Sequence, residues 1–414
     1  MKKRILLITN GFPFGETERS FLSEEVRQIM QNFDLYVMAP ENKDELLYPV
    51  DGICGIVRYH GMKSFREGGS FGAVVSMLQP AALAEAFRYA KRNKFANALG
   101  DVKEMLHYRY QIWGLEQQIF ELVKKERIDV VYTYWCTGCT LAALEVKKRI
   151  HGLKVITRFH GYDLYQERRA DGWQPFRKVL TEKADGLIFT CETGRDYYVS
   201  HWGKGPGDKI CVNYLGSKSM DAGQMPCTDV LHLVSCSNVI PLKRIELIID
   251  GLALLPENVK VIWNHFGEGT ERQTLEQRAK DKLGENIQWT FHGFVPNEEL
   301  SARYRQAGVD VFITTSSTEG MPVSLMESFS AGIPVIGTAV GGIPEMVLDG
   351  KTGYLLPQNP TAEEVAHALM RYYNLSCQRR KEMADAAREI WQQKFDTVRN
   401  ARDFVGYLMS LAAE

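Results

Sequence analysis

Short apolar runs alternate along the whole chain with segments whose apolar residues recur at helical spacing. In the first half the strand-like runs are RILLIT (4–9), DLYVMA (34–39), DVVYTY (129–134), KVITRF (154–159), GLIFT (186–190) and KICVNY (209–214). In the second half they are LHLVSCS (231–237), VKVIWNHFG (259–267), IQWTFHG (287–293), VDVFITTS (309–316) and IPVIGT (333–338). Helical patterns such as SFLSEEVRQIM (20–30) and LEQQIFELVKKE (115–126) lie between them, so parallel sheets covered by helices are expected. The two series part near LGSKSMDAGQMPCTD (215–229), which mixes Gly, Ser, Pro and Asp with little apolar periodicity, as a domain boundary does. The expected fold class is α/β, with two Rossmann-like doubly wound domains facing each other across a cleft.

Bulk properties narrow this picture without changing it. A chain of 414 residues is too long for one ordinary core, and 45% hydrophobic with 24% charged residues is the balance of a globular enzyme. A net charge of −1 gives no reason to expect nucleic acid as a partner, and no apolar run reaches membrane-spanning length. The opening MKKRILLITNGFPFG has a basic tip, but its apolar run is short and enters a Gly-Phe-Pro turn, so a first core strand is expected rather than a signal peptide. The eight cysteines have no framework spacing. Cys136 and Cys139 form a lone CxxC without a second ligand pair, so reduced thiols, no metal and a cytoplasmic setting are expected.

Residues 61 to about 115 differ from the rest. Apolar residues mix there with clustered Lys and Arg at helical spacing, as in GMKSFREGGSFGAVVSMLQPAALAEAFRYAKRNKF. Peripheral membrane contact through residues 61–97 is one reading, and an inserted helical subdomain with a solvated basic face is the other.

The chemistry concentrates in STEGMPVSLMESFSAGIPVIG (317–337). A strand ending at Ser316 delivers this loop to the carboxyl edge of a sheet, where open α/β folds bind ligands. Pro322 suits the first helical position and Gly332 the residue beyond the helix end. The helix start would then offer amide groups of Met321, Val323 and Ser324 to a phosphate. Glu319 precedes the helix, and Glu327 lies about five residues into it, or ~7.5 Å along its axis. That offset fits a nucleotide diphosphate sugar, with carboxylates accepting from hydroxyls on either side of the phosphates. By contrast, GEGTER (267–272) lacks the third glycine of a dinucleotide fingerprint, so NAD is not expected.

The E-(seven residues)-E spacing, followed by SFSAGIPVIGTAVGGIPEMVLDGKTGYLLP (328–357), resembles the nucleotide-sugar half of family-4 retaining glycosyltransferases of GT-B fold. SCSNVIPLKRIELIIDGLALL (235–255), HFGEGTERQTLEQRA (265–279) and FHGFVPNEELSARYRQAGVDVFIT (291–314) are similar to that family's segments in the same order. In the first half, NGFPFGETERSF (10–21) resembles its glycine loop and RFHGYDLY (158–165) its His-Gly-x-Asp segment. The ending IWQQKFDTVRNARDFVGYLMSL (390–411) resembles its terminal helices, the last of which returns to the first domain. The resemblance therefore implies an acceptor-side domain of residues 1–215 plus 396–414 and a donor domain of residues 216–395.

It also implies roles. Glu327 would hold the donor ribose, Glu319 the sugar hydroxyls, and Gly320, Met321, Pro322 and Val323 would line sugar and phosphate. Lys243 would balance the diphosphate charge without a metal or other cofactor, and Phe294 and Val295 would flank the nucleobase. Gly15 and Glu16 would approach the diphosphate from the first domain, and His160 would sit near the anomeric carbon. Asp163 enters as an acceptor contact or a helix cap. The chain departs from the family pattern at Asn238, where an arginine is common, with Arg244 or Arg158 as substitutes for the missing charge. The resemblance implies transfer of a hexosyl or N-acetylhexosaminyl group, with retention, to a glycan or lipid-linked acceptor in surface polysaccharide biosynthesis. The alternatives are a non-catalytic nucleotide-sugar-binding protein or a nucleotide-sugar epimerase on the same fold.

Overall fold

The computed structural model describes residues 2–14, 18–41, 46, 51–60, 71–221, 223 and 225–413. The chain divides into two compact units, residues 1–213 with 401–414, and residues 214–400. The sequence placed these divisions after residues 215 and 395.

Unit 1 is built on a seven-stranded parallel sheet of β1 (Lys3–Ile8), β2 (Phe33–Pro40), β3 (Gly55–Tyr59), β4 (Val130–Thr133), β5 (Lys154–Phe159), β6 (Gly186–Phe189) and β7 (Ile210–Val212), in the order β3-β2-β1-β4-β5-β6-β7. Its central strands β4, β5 and β6 are apolar or buried along most of their length because both faces are covered. Along β1, Leu6 and Ile8 join one core with Val131, Val155 and Leu187, while Ile5 and Leu7 join the other with Val130, Tyr132 and Ile156. The helix Thr397–Ala413 adds Phe404, Val405, Leu408 and Leu411 to that second core. Beneath it lies a buried ion pair: Arg158 Nη1 is 2.7 Å from Glu25 Oε2, and the Tyr132 hydroxyl donates to Glu25 Oε1 at 2.9 Å. The insert expected from residue 61 is helical where described, with helices Phe71–Met77, Pro80–Arg92 and Ala98–Glu126, while residues 61–70 lie outside the described residues.

Unit 2 carries a six-stranded parallel sheet of β8 (Val230–Cys236), β9 (Lys260–Phe266), β10 (Ile287–Phe291), β11 (Val311–Thr314), β12 (Val335–Thr338) and β13 (Gly353–Leu356), ordered β10-β9-β8-β11-β12-β13. Leu231, Leu233, Val261 and Trp263 pack under helices through Ile245, Ile248, Val365 and Leu369. Strands β3 and β13 have no counterpart in the apolar pattern. Both are edge strands, and β3 has no fully buried position to reveal it.

One expectation is corrected here. Cys227 and Cys377 form a disulfide, tying the segment before β8 to the start of helix Cys377–Ile390. The two are 150 residues apart in sequence, so no local spacing announced the pair, and the remaining six cysteines are free. Among the described residues no helix is long and apolar enough to cross a membrane.

Candidate active site

The strand order of unit 2 reverses between β8 and β11, and open α/β sheets bind ligands outside the carboxyl ends of the strands at such a switch point. The two loops leaving these strands are residues 237–244 and 315–322, which hold Asn238, Lys243, Arg244, Glu319, Gly320, Met321 and Pro322 of the residues singled out in the sequence. They are stitched together by polar contacts. Thr315 Oγ1 donates to the carbonyls of Lys243 at 3.1 Å and Arg244 at 2.8 Å, and the Ser317 amide donates to the Leu242 carbonyl at 2.9 Å. Arg244 sits in the left-handed region at φ 48°. Its guanidinium donates to the carbonyls of Thr315 (2.7 Å), Ser316 (2.9 Å) and Gln358 (2.9 Å) and to Asn359 Oδ1 (3.1 Å).

Arg244 is therefore a clamp on the loops. The structure does not support it as the substitute for the charge missing at Asn238, because its donors are already directed at the protein's own oxygens. The other substitute, Arg158, is buried in the core of unit 1 against Glu25 and Asn213. Asn238 itself is exposed in the loop after β8.

This stitching brings Lys243 and Glu319 together. Lys243 Nζ lies 2.6 Å from Glu319 Oε1, with the side chains 19% and 12% exposed. Directly after them the helix Val323–Ser330 begins, with Pro322 as its cap and Val323 as its first helical residue. The amides of Val323 and Ser324 have no preceding turn to bond to, so the helix start remains an anion-binding end. The helix ends as expected, at Ala331 followed by left-handed Gly332 (φ 69°). Glu327 lies inside this helix and is buried, and its Oε1 accepts from Asn297 Nδ2 at 3.1 Å. Burial pushes its carboxyl up from an ordinary 4.5 to about 7. Met321 is buried, while Gly320, Pro322 and Val323 are partly covered; Phe294 is exposed and Val295 half-buried in the loop after β10.

Two close backbone approaches hold the floor of this site. A Cβ on Gly341, which has φ 53°, would stand 2.0 Å from the Glu319 carbonyl oxygen, and the neighbouring Gly342 amide donates to Gly320 at 2.7 Å. A Cβ on Gly267 would stand 1.8 Å from the Ser237 carbonyl oxygen. The glycine of GEGTER thus serves packing of the β9 loop against the β8 loop.

In unit 1 the strand order reverses between β1 and β4. Buried Glu18 organises the loop after β1, accepting from the amides of Asn10 (3.1 Å), Gly11 (2.8 Å) and Phe12 (2.7 Å) and from the Trp135 indole. Gly15 and Glu16 lie outside the described residues. His160 follows β5, and its Nε2–H donates to the Tyr134 carbonyl at 3.0 Å, while its ring centroid lies 4.2 Å from that of Trp135. Burial, reinforced by the Arg158 charge, pushes its imidazole down to about 3, so the ring is neutral at physiological pH. Asp163 is buried, and its two oxygens accept from the amides of His160 (2.8 Å) and Cys136 (2.7 Å). Its carboxylate is engaged in ordering the loops after β4 and β5, in place of the acceptor contact considered for it. Among the described residues no group of three or more His, Cys, Asp or Glu side chains is arranged to hold a metal ion.

Comparison with known proteins now bears on this geometry. The family model "Glycosyl transferases group 1" matches residues 228–390, and "Glycosyl transferase 4-like domain" matches residues 71–216. The chain is a family-4-like glycosyltransferase of GT-B fold. WcaL of Salmonella typhimurium, named for colanic acid biosynthesis, is 28% identical over 290 residues, 66% of this chain and 68% of that protein. Among solved structures, HepE of Anabaena in complex with UDP aligns with a TM-score of 0.68 and 16% identity over 98% of this chain and all of that one. The lipopolysaccharide outer core galactosyltransferase WaaB aligns with a TM-score of 0.70 and 14% identity over 98% of this chain and 99% of its own.

For this glycosyltransferase, sequence reasoning missed Glu18, Asn297, Gly341 and Gly342. The paired glycines stood in the quoted VGGIP stretch and Glu18 in GETERSF. Asn297 gave no signal, since only the approach of the β10 loop to helix Val323–Ser330 brings it to Glu327.

Proposed function

We propose that the protein transfers a sugar from a nucleotide diphosphate donor to a hydroxyl acceptor, with retention at the anomeric carbon. The observation that carries this reading is the Lys243–Glu319 pair at the start of a helix that holds a buried, hydrogen-bonded carboxyl at Glu327. The diphosphate would take the helix start and Lys243, releasing Glu319 to accept from sugar hydroxyls. Glu327 would accept from the ribose diol, and exposed Phe294 would flank the base. In the transfer itself the bond from C1 to the phosphate oxygen breaks and one from C1 to the acceptor oxygen forms. The acceptor proton passes to the departing phosphate, and the nucleoside diphosphate leaves. Lys243 and the helix amides stabilise the charge that develops on it. His160 is assigned a hydrogen-bonding role toward the transferred sugar, for which a neutral imidazole held against Tyr134 and Trp135 with its tautomer fixed by the Tyr134 carbonyl is suited.

The name of WcaL and the UDP bound to HepE support a nucleotide-sugar donor and a setting in polysaccharide biosynthesis; a glycan or lipid-linked acceptor on the cytoplasmic side is part of the proposal. The test is incubation with UDP-, GDP- and ADP-sugars, following release of nucleoside diphosphate. Release by the wild type, lost in Glu319→Ala and Lys243→Ala with the fold intact, is expected. Binding without release would instead describe a nucleotide-sugar-binding protein, and release unaffected by either variant would overturn the site.

A further inference from the structure

The helical insert of unit 1 has a surface that the donor chemistry does not use. Helices Phe71–Met77 and Pro80–Arg92 both pack against Ala98–Glu126, and among the described residues both helices keep large apolar side chains exposed. The inner face of Pro80–Arg92 is accounted for: Ala86 and Tyr89 pack with Met105, Val102 and Trp173. Its outer face presents Leu83, Phe87 and Lys91 at helical spacing. Large apolar side chains remain exposed here, including Phe71 (84%), Phe87 (59%) and Leu99 (89%) together with Val75, Leu78, Leu83 and Phe95. At the turn into the long helix, Lys94 and Phe95 both take left-handed φ values, 53° and 57°. Non-glycine residues adopt this conformation at a cost, and here it sets the Phe95 ring beside Phe87, with centroids 5.8 Å apart.

Charge decides the occupant. Residues 71–100 hold four basic side chains, Arg88, Lys91, Arg92 and Lys94, and a single acidic one, Glu85. Glu85 is buried and its oxygens are taken by the Trp173 indole (3.0 Å), the Phe176 amide (2.9 Å) and Arg88 (2.5 Å). The exposed side chains of residues 71–100 therefore combine aromatic and aliphatic groups with lysines and arginine and include no carboxylate, in a chain whose net charge is −1. We infer that this surface docks the protein onto an anionic lipid bilayer, with Phe87, Phe95 and Leu99 entering the interface and Lys91 and Lys94 meeting headgroup phosphates. Apolar side chains ringed by cations suit the boundary between acyl chains and anionic headgroups, where both kinds of group find partners at one depth.

The experiment is vesicle flotation of the full chain with phosphatidylcholine vesicles, with and without about one-third phosphatidylglycerol. The wild type is expected to float with the anionic vesicles only, and less at about 0.5 M than at about 0.1 M salt. Phe87→Ser with Phe95→Ser, and separately Lys91→Glu with Lys94→Glu, are expected to lower partitioning on the order of tenfold. Circular dichroism and nucleoside diphosphate binding should be unchanged in both, because all four side chains are exposed and outside the donor site. Absence of flotation by the wild type, or variants that float equally well, would overturn the inference. Concentration-dependent self-association abolished by the same variants, without flotation, would also overturn it and assign the surface to a second copy of the chain.

Discussion

Glu327 offers a prediction whose size follows from its surroundings. Its carboxyl is buried with one hydrogen bond from Asn297, and its folded value of about 7 stands above the ordinary 4.5. Below pH 4.5 the folded and unfolded chains both hold the proton, so the group contributes nothing. Between pH 4.5 and 7 the unfolded chain ionises first, and folding stability falls as pH rises, by about 3 kcal/mol once both forms are ionised. Ribose hydroxyls reverse the preference, because two donors stabilise the carboxylate. If binding requires the ionised form, about nine-tenths of the protein is competent at pH 8 and about one-tenth at pH 6, a difference of ~10-fold in affinity. Calorimetry of UDP, with GDP and ADP in parallel, measures this in wild type and Glu327→Gln. The nucleotide's terminal phosphate titrates nearby, so the readout is the difference between the two proteins. Glu327→Gln should bind more weakly at pH 8 and lose that component of the pH dependence. It should also be more stable than the wild type above pH 7. Identical pH profiles and equal affinity at pH 8 would refute the reasoning.

Other predictions test neighbouring parts of the account. Lys243→Ala should lower kcat for nucleoside diphosphate release by roughly 10²–10³-fold, with Lys243→Arg recovering part of the loss, as measured by steady-state release assays. Gly341→Ala should displace the Glu319 loop and lower kcat/KM on the order of 10²-fold. Gly406→Ala, in the helix Thr397–Ala413, whose Cβ meets nothing within 4 Å and whose φ is not positive, should leave kcat/KM unchanged. Arg158→Met strands Glu25 in the core of unit 1 and should destabilise it by about 3–5 kcal/mol in urea unfolding. Adding Glu25→Gln should recover much of that loss. Alkylation in denaturant should modify six cysteines before reduction and eight after it, because Cys227 and Cys377 are paired.

Much of the fold could be read from the chain because its strands are buried on both faces and therefore stand out as apolar runs. KVITRF matches β5 residue for residue, and the other runs differ from their strands by one or two residues at one or both ends. The edge strand β3 escaped because a half-covered strand needs no continuous apolar run, whereas β13 is buried at three of its four positions and escaped because it is only four residues long. The loop before helix Val323–Ser330 was legible since Glu319 sits where a strand end and a helix start must lie, whereas Lys243 was singled out by the family resemblance and not by its position alone. Which cation serves which purpose was not legible. Arg244 neighbours Lys243 in sequence, yet a left-handed backbone turns its guanidinium to Thr315 and Ser316, while Lys243 meets Glu319. Asp163 and Asn297 have the same history, as their work depends on loops that meet only after folding. The disulfide belongs here too, since 150 residues separate its halves.

Crystals of the chain soaked with a nucleoside diphosphate that binds in calorimetry would test the central claim most directly. The account predicts phosphate oxygens at hydrogen-bond distance from the Val323 and Ser324 amides and from Lys243 Nζ, with both ribose hydroxyls on Glu327. A nucleotide bound elsewhere on unit 2, with Lys243 still paired to Glu319 and Glu327 untouched, would contradict it.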